Sequence, residues 1–247
     1  MGCMKIGGLQ RTSLIDFPDK VSAVVFLQGC NFRCPFCHNP ELVLGARFGR
    51  AMDEAEFFDF LEKRRHQLDG IVISGGEPTV HADLPDFIRR IRALGYAIKI
   101  DTNGSNPTML GDMLREGLLD FIAMDLKGDP DHYADYCGAK IPAEAIRASI
   151  RLVMECGKPY EFRTTAVPGQ HDLEKLKALA LSIKGARRYA IQAFRPDICL
   201  DPTFENMPRY DLADVRDNRA WFESVVQNFE IRGDVSKVAP QDVVKRS

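Results

Sequence analysis

Short apolar runs alternate with longer amphipathic stretches along most of the chain. Val21–Leu27, Gly70–Ser74, Tyr96–Asp101, Phe121–Asp125, Tyr160–Ala166 and Tyr189–Phe194 are rich in Val, Ile and aromatic residues and predict six strands. Between them, apolar residues recur at three- and four-residue spacing, which predicts helices with one buried face. Asp53 can cap the first, with Glu56 at the capping-box position and Phe57, Leu61 and Leu68 on one face. Asp83 opens the second, which carries Leu84, Phe87, Ile88, Ile91 and Leu94 until Gly95 stops it. Asn106-Pro107 starts a third that ends near Gly117. Helices near 142–156 and 172–184 end at Gly157 and Gly185, and a last helix near 211–229 carries Phe222, Val225, Val226 and Phe229.

Six strand–helix repeats predict an α/β fold with a parallel sheet and right-handed crossovers. The sheet is either open and doubly wound or barrel-like. No G-x-G-x-x-G follows the first strand, which argues against the dinucleotide-binding version. In a barrel, chemistry collects on the loops that leave the strands. Here a cysteine triplet leaves the first strand, Ser74-Gly-Gly-Glu-Pro78 the second, Asp101-Thr-Asn-Gly104 the third and Asp125-Leu-Lys127 the fourth. The unusual segments therefore share one end of the sheet. Residues 1–20 read as a lead-in hairpin or cap, 21–200 as the barrel, and 201–247 as a helical extension packed on or near it. Residues 195–210, with three prolines, read as a long loop, and the polar last 18 residues as a frayed tail or an edge strand.

Composition narrows the class. The 247 residues are 45% hydrophobic and 28% charged, enough for one α/β domain with a sizeable core. A net charge of −2 offers no basic face for nucleic acid. No apolar run approaches the ~20 residues of a membrane span. The N-terminus lacks a charged region followed by an apolar stretch, and Ile6 stands where a myristoylation signal has Ser or Thr. Seven cysteines form no disulfide framework; Cys3, Cys137, Cys156 and Cys199 are scattered and read as buried thiols of a reduced, cytoplasmic protein.

Cys30, Cys34 and Cys37 are spaced C-x3-C-x2-C. Three thiolates hold an iron–sulfur cluster by three irons and leave one open. Electron-transfer clusters usually have four protein ligands, so this count points to a substrate or cofactor on the cluster itself. Zinc held by the same cysteines and His38 is the alternative, although structural zinc sites usually pair ligands from two separate loops. Gly75-Gly76-Glu77-Pro78 lets backbone approach a ligand and presents carbonyls to an ammonium group; alone it is equally a tight strand–helix connection. Asp101, Thr102 and Asn103 are ordinary turn and cap residues, yet Asn106 already fits the cap, which leaves them for ribose hydroxyls or a cation. Asp125 and Lys127 point the same way if the strand persists, as a surface pair or as ligand anchors. Arg163 shares a strand face with Glu161 and Thr165 and needs an anionic partner inside a barrel: Glu161 or a cofactor carboxylate. Gln192 reads as a base-edge contact or a core polar residue, and Trp221 as packing. His66, His81 and His171 read as solvated, and no residue is nominated as a catalytic acid or base.

These motifs together resemble the radical S-adenosylmethionine superfamily. Within it, Gly7–Pro18, Gln28–Pro40, Ile73–Thr79, Asp101–Pro107 and Ala123–Gly128 resemble the activating proteins of anaerobic ribonucleoside-triphosphate reductase. The resemblance implies a partial (β/α)6 TIM-like barrel. It also implies a 4Fe–4S cluster on Cys30, Cys34 and Cys37, with S-adenosylmethionine chelating the open iron. Phe36 would meet adenine through its backbone, and Gly75, Gly76 and Glu77 would take the methionine ammonium. Asp101, Asn103, Asp125, Lys127 and Arg163 would lie near the ribose, the carboxylate and a possible monovalent-cation site, with His38, Pro78 and Thr102 in the same cofactor-binding set. Relatives offer a histidine near adenine on strand six, whereas this chain has Gln192, Phe194 and Arg195.

The implied reaction is reductive cleavage of S-adenosylmethionine to methionine and a 5′-deoxyadenosyl radical, which then generates a glycyl radical on a partner enzyme. Anaerobic ribonucleotide reductase is the expected partner, and flavodoxin or ferredoxin the expected electron donor. The short gap from Cys37 to Asp53 leaves no room for a ferredoxin-like insert. A radical enzyme acting on a small molecule is the alternative, and a non-catalytic metal-binding protein a more distant one.

Overall fold

The computed structural model describes residues 4–233. One eight-stranded sheet runs in sequence order: β1 (Ile6–Ser13), β2 (Ser22–Leu27), β3 (Gly70–Gly75), β4 (Ala97–Thr102), β5 (Phe121–Asp125), β6 (Tyr160–Ala166), β7 (Tyr189–Ala193) and β8 (Phe229–Arg232). β1 pairs antiparallel with β2, and every later neighbour is parallel. Among the described residues β1 and β8 do not pair, so the sheet is a partial barrel and not a closed one.

Helices fill the crossovers in the order the amphipathic stretches predict. α1 (Pro40–Val43) and α2 (Glu54–Lys63) lead to β3, α3 (Leu84–Ala93) to β4, and α4 (Pro107–Arg115) to β5. α5 (Tyr133–Cys137) and α6 (Ala143–Glu155) lead to β6, and α7 (Leu173–Ser182) to β7. The caps are local chemistry. The Asp53 carboxylate accepts from Ala55 N, and Asn106 Oδ1 from Met109 N, each satisfying a helix donor that has no partner within its own helix.

Strand alternation sorts the residues into two layers. Ala23, Val25, Leu27, Ile71, Ile73, Ile98, Ile100, Ile122 and Met124 face the helices and build the main core. The opposite faces line the barrel interior, which is apolar only at its foot. There Phe17, Val24, Val72, Phe121 and Ala123 form a second cluster. Phe17 comes from the lead-in loop and meets Phe121 edge-on at 6.1 Å. A Cβ on Gly70 would lie 2.8 Å from the Phe17 ring, so only glycine admits this plug. Above it the interior turns ionic, with Lys99, Asp101, Asp125, Glu161 and Arg163.

Two expectations are corrected at the C-terminal end. The stretch 211–229 is not one helix: α8 (Ala213–Asp217) and α9 (Arg219–Val225) meet at Asn218, and Phe229 already belongs to a strand. The extension is therefore not purely helical, because β8 adds to the sheet beside β7. Phe229 fell on the apolar stripe by coincidence of spacing; its ring stacks on Phe222 at 4.6 Å, which satisfies the stripe from an extended backbone. Cys3 and the last 14 residues of the predicted tail lie outside the described residues.

Candidate functional site

The cysteine loop leaves β2 and is held from five directions by groups distant in sequence. Gly29 N donates to Leu42 O at 2.7 Å, and Gly29 O accepts from Glu77 N at 2.8 Å. Arg33 N donates to Cys137 O at 2.7 Å, and Pro35 O accepts from Asp201 N at 2.9 Å. The imidazole of His38 stacks on Phe194 and its Nε2 donates to Arg195 O at 2.8 Å, which locks the exit of β7 onto the loop. His38, the fourth ligand in the zinc alternative, spends Nε2 on the Arg195 carbonyl and its ring face on Phe194.

Backbone from the loop after β3 closes against the cysteine loop. Gly76 is obligatory, because a Cβ there would lie 2.0 Å from Gly29 O. Gly75 has φ +120° and its Cβ would lie 2.3 Å from Leu27 N. Glu77, buried to 1% exposure, ties this loop to the next. Its Oε1 accepts from Thr79 N, Thr79 Oγ1 and Thr102 Oγ1, the last at 2.8 Å, and its Oε2 accepts from Asn103 N at 2.6 Å. Burial pushes the Glu77 carboxyl above its ordinary value, against the pull of these donors. Asn103 Nδ2 in turn donates to Asn31 Oδ1 at 3.0 Å, which brings the cysteine loop into the same network.

The floor is an ion network. Arg163 Nε donates to Asp125 Oδ1 at 2.9 Å and Nη1 lies 3.5 Å from Asp101 Oδ2. Lys127 Nζ reaches Asp125 Oδ2 at 2.8 Å and sits 5.9 Å from the centre of the Phe36 ring. Burial opposes the charge on both carboxylates, but Arg163 overcomes it, helped by Lys99 at Asp101 and by Lys127 at Asp125, and both are held below their ordinary values. Arg163 has the partner expected in Glu161, at 3.9 Å, and two nearer ones. Glu161 leans more on Arg232 of β8, at 2.8 Å.

A cavity of about 270 Å³ joins these parts. Cys30, Cys34 and Cys37 line it together with Phe36, His38, Gly75, Gly76, Glu77, Asp101, Thr102, Asn103, Asp125, Lys127 and Arg163. Pro78 does not line it; it starts the short turn Pro78–Val80 behind Glu77. Ser74 and Thr165 are wall residues that sequence reasoning did not single out, although their places on strand faces beside Asp101 and Arg163 carried the signal. Gln192 lines the wall and donates to Thr165 Oγ1 at 2.7 Å.

A larger cavity, about 650 Å³, lies outside the barrel between α6 and α7 and holds none of the cysteines. Chemistry and not volume identifies the site. His171 lines that outer cavity and corrects the expectation that it is solvated. It is 5% exposed, accepts from Val167 N at Nδ1 and donates from Nε2 to Lys127 O. His81 is half-buried and bonded to Gln28 O at 2.9 Å, while His66 is exposed as expected.

Burial pushes the Cys30 thiol up to about 11 and Cys34 to about 12, and raises Cys37 as well. Thiolates are sustained here only beside strong positive charge, which iron supplies. Residues 24–181 match the radical SAM superfamily. The chain belongs to that superfamily. Radical SAM proteins carry a 4Fe–4S cluster and S-adenosylmethionine, and the donor set fits both: three thiols on one cavity wall, a glycine turn with close backbone, and a floor that includes Lys127 and Arg163. The chain is 34% identical over 233 residues to MJ1227 of Methanocaldococcus jannaschii, provisionally named a glycyl-radical enzyme activating enzyme; the match covers 92% of this chain and 95% of the relative. It is 29% identical over 184 residues to the pyruvate formate-lyase-activating enzyme of Streptococcus mutans, covering 68% of this chain and 69% of that one. Streptococcus suis SuiB shares the fold with a TM-score of 0.63 at 17% identity, over 89% of this chain and 52% of SuiB, so this radical SAM chain spans about half of SuiB's length. No helix among the described residues is long and apolar enough to cross a membrane.

Proposed function

We propose that this chain is an activating enzyme that generates a glycyl radical on a partner protein, with anaerobic ribonucleotide reductase as the partner and flavodoxin or ferredoxin as the electron donor. The near end-to-end likeness to MJ1227 carries the reading, and the likeness to a formate-lyase activase supports it. When bound, the cluster and S-adenosylmethionine supply reductive cleavage of the sulfonium to methionine and a 5′-deoxyadenosyl radical.

The chain's own residues bind, orient and exclude water. Cys30, Cys34 and Cys37 would hold the cluster. Backbone oxygens of the Gly75-Gly76 turn would take the ligand's ammonium, and Glu77 would act by shaping that turn, since both its oxygens are already engaged. Lys127 and Arg163 would face the ligand's carboxylate, and Asp101, Thr102 and Asn103 its ribose. Glu77, Asp101, Asp125, Lys127 and Arg163 are all paired with protein groups, and His38 is committed to Arg195 O.

The test is anaerobic reconstitution with iron and sulfide, then incubation with S-adenosylmethionine, a reductant and the reductase. A glycyl-radical doublet in electron spin resonance is the expected result. Release of 5′-deoxyadenosine with persistent absence of the doublet would move the substrate to a small molecule.

A further inference from the structure

Lys99 has no part in the chemistry above, yet it is one of the most enclosed charged residues in the protein. Its side chain is 3% exposed, a rare position for lysine. It stands on β4 two residues before Asp101, so both side chains enter the barrel from the same strand face. The Nζ lies 5.9 Å from the centre of the Phe121 ring and donates to Asp101 Oδ1 at 2.5 Å. Asp101 lines the cavity, and Lys99 meets it from beneath.

The superfamily resemblance allows for a monovalent cation near Asp101 and Asp125. The residues present leave it no place. Asp101 Oδ1 is taken by Lys99, and Oδ2 accepts from Ser74 Oγ at 3.1 Å and faces Arg163. Asp125 Oδ1 is taken by Arg163 and Oδ2 by Lys127. Two carboxylates thus meet three cationic side chains, with Glu161 more remote and shared with Arg232. A further cation would have to displace one of these side chains or sit against their charges in a low-dielectric site, where repulsion is strong. Lys127 and Arg163, which line the cavity, suit the carboxylate of a ligand.

We infer that the Lys99 ammonium serves at Asp101 in place of a bound monovalent cation, so that this site takes neither Na⁺ nor K⁺. Lys99 is a positioning residue: it acts on the ligand only through Asp101. The inference rests on S-adenosylmethionine binding in this cavity and not on the identity of the protein partner.

The experiment is calorimetric titration of the reconstituted protein with S-adenosylmethionine. It is run at equal ionic strength in tetramethylammonium, sodium or potassium chloride. Wild-type affinity is expected to be the same in all three. Lys99→Met should bind about 10–100-fold more weakly in tetramethylammonium, the usual cost of losing a supporting partner. It should recover in sodium or potassium chloride, because a small cation can then occupy the vacated place. Lys99→Gln, which keeps a donor for Asp101, guards against misfolding and should show the same recovery to a smaller degree. A wild type that needs Na⁺ or K⁺ for affinity overturns the inference alone. So do Lys99 variants that lose nothing, or that lose affinity without rescue by any small cation. A wild type that fails to bind S-adenosylmethionine in every salt overturns the reading of the cavity and the inference with it.

Discussion

Glu77 accepts the backbone N–H of Asn103 at 2.6 Å and so joins the loops that leave β3 and β4. The carboxylate is acceptor-only and receives donors on both oxygens. Glu77→Gln turns one of those oxygens into a donor that faces another donor. Leaving a buried group unsatisfied costs about 1–3 kcal/mol. Denaturant unfolding should show a loss of that size, and calorimetry a loss of S-adenosylmethionine affinity, while Glu77→Asp should fail to span the two loops.

Gly76 lies against Gly29 O so closely that any side chain must displace backbone. Gly76→Ala should therefore separate the glycine turn from the cysteine loop. Reconstituted protein should hold less iron and bind S-adenosylmethionine more weakly by at least about tenfold. Iron content and titration calorimetry check this. Gly49→Ala, in open space, is the control and should leave both unchanged.

His38 joins the cysteine loop to the exit of β7 through Arg195 O and Phe194. Because a carbonyl only accepts, Nε2 carries the proton. His38→Ala should loosen residues 195–199, read as faster amide hydrogen exchange there. The stability loss should be about 1 kcal/mol, the net worth of one such bond. Iron stoichiometry should hold, since His38 Nε2 is spent on Arg195 O.

His171 gives the fold a pH dependence. Burial first, and Lys175 after it, depress its value from 6.5 to about 4, although its bond to Lys127 O pulls the other way. Nδ1 accepts Val167 N, and protonation there would set donor against donor. The neutral form is thus the one the fold favours. The stabilisation, about 3 kcal/mol, is complete above pH 6.5 and lost as pH falls toward 4. Urea unfolding between pH 7 and pH 4 should show the decline, and His171→Gln should flatten it.

The sheet was legible because short runs rich in Val, Ile and aromatic residues alternate with amphipathic stretches. Phe121–Asp125 and Tyr160–Ala166 match the observed β5 and β6 end to end. The site was legible because its motifs follow consecutive strands, and a parallel sheet brings such loops to one rim. Lys99 was not, since a lysine in a strand reads as facing solvent until the barrel interior is known to be ionic. Nor was His171: its burial depends on the Lys127 carbonyl, 44 residues away in sequence. The change from α9 to β8 was hidden because Phe222, Val225, Val226 and Phe229 keep helical spacing across it.

The five contacts that hold the cysteine loop are all bonds between protein groups, drawn from α1, the β3 exit, α5, the β7 exit and the loop before α8. The loop's shape is thus a property of the polypeptide, and the cluster enters a mould that already exists. Cluster damage by oxygen should therefore be repairable: chelated protein should keep its circular-dichroism melting curve and regain iron without being refolded. For an enzyme built around an oxygen-labile centre, that makes the polypeptide the durable part and the metal the replaceable one.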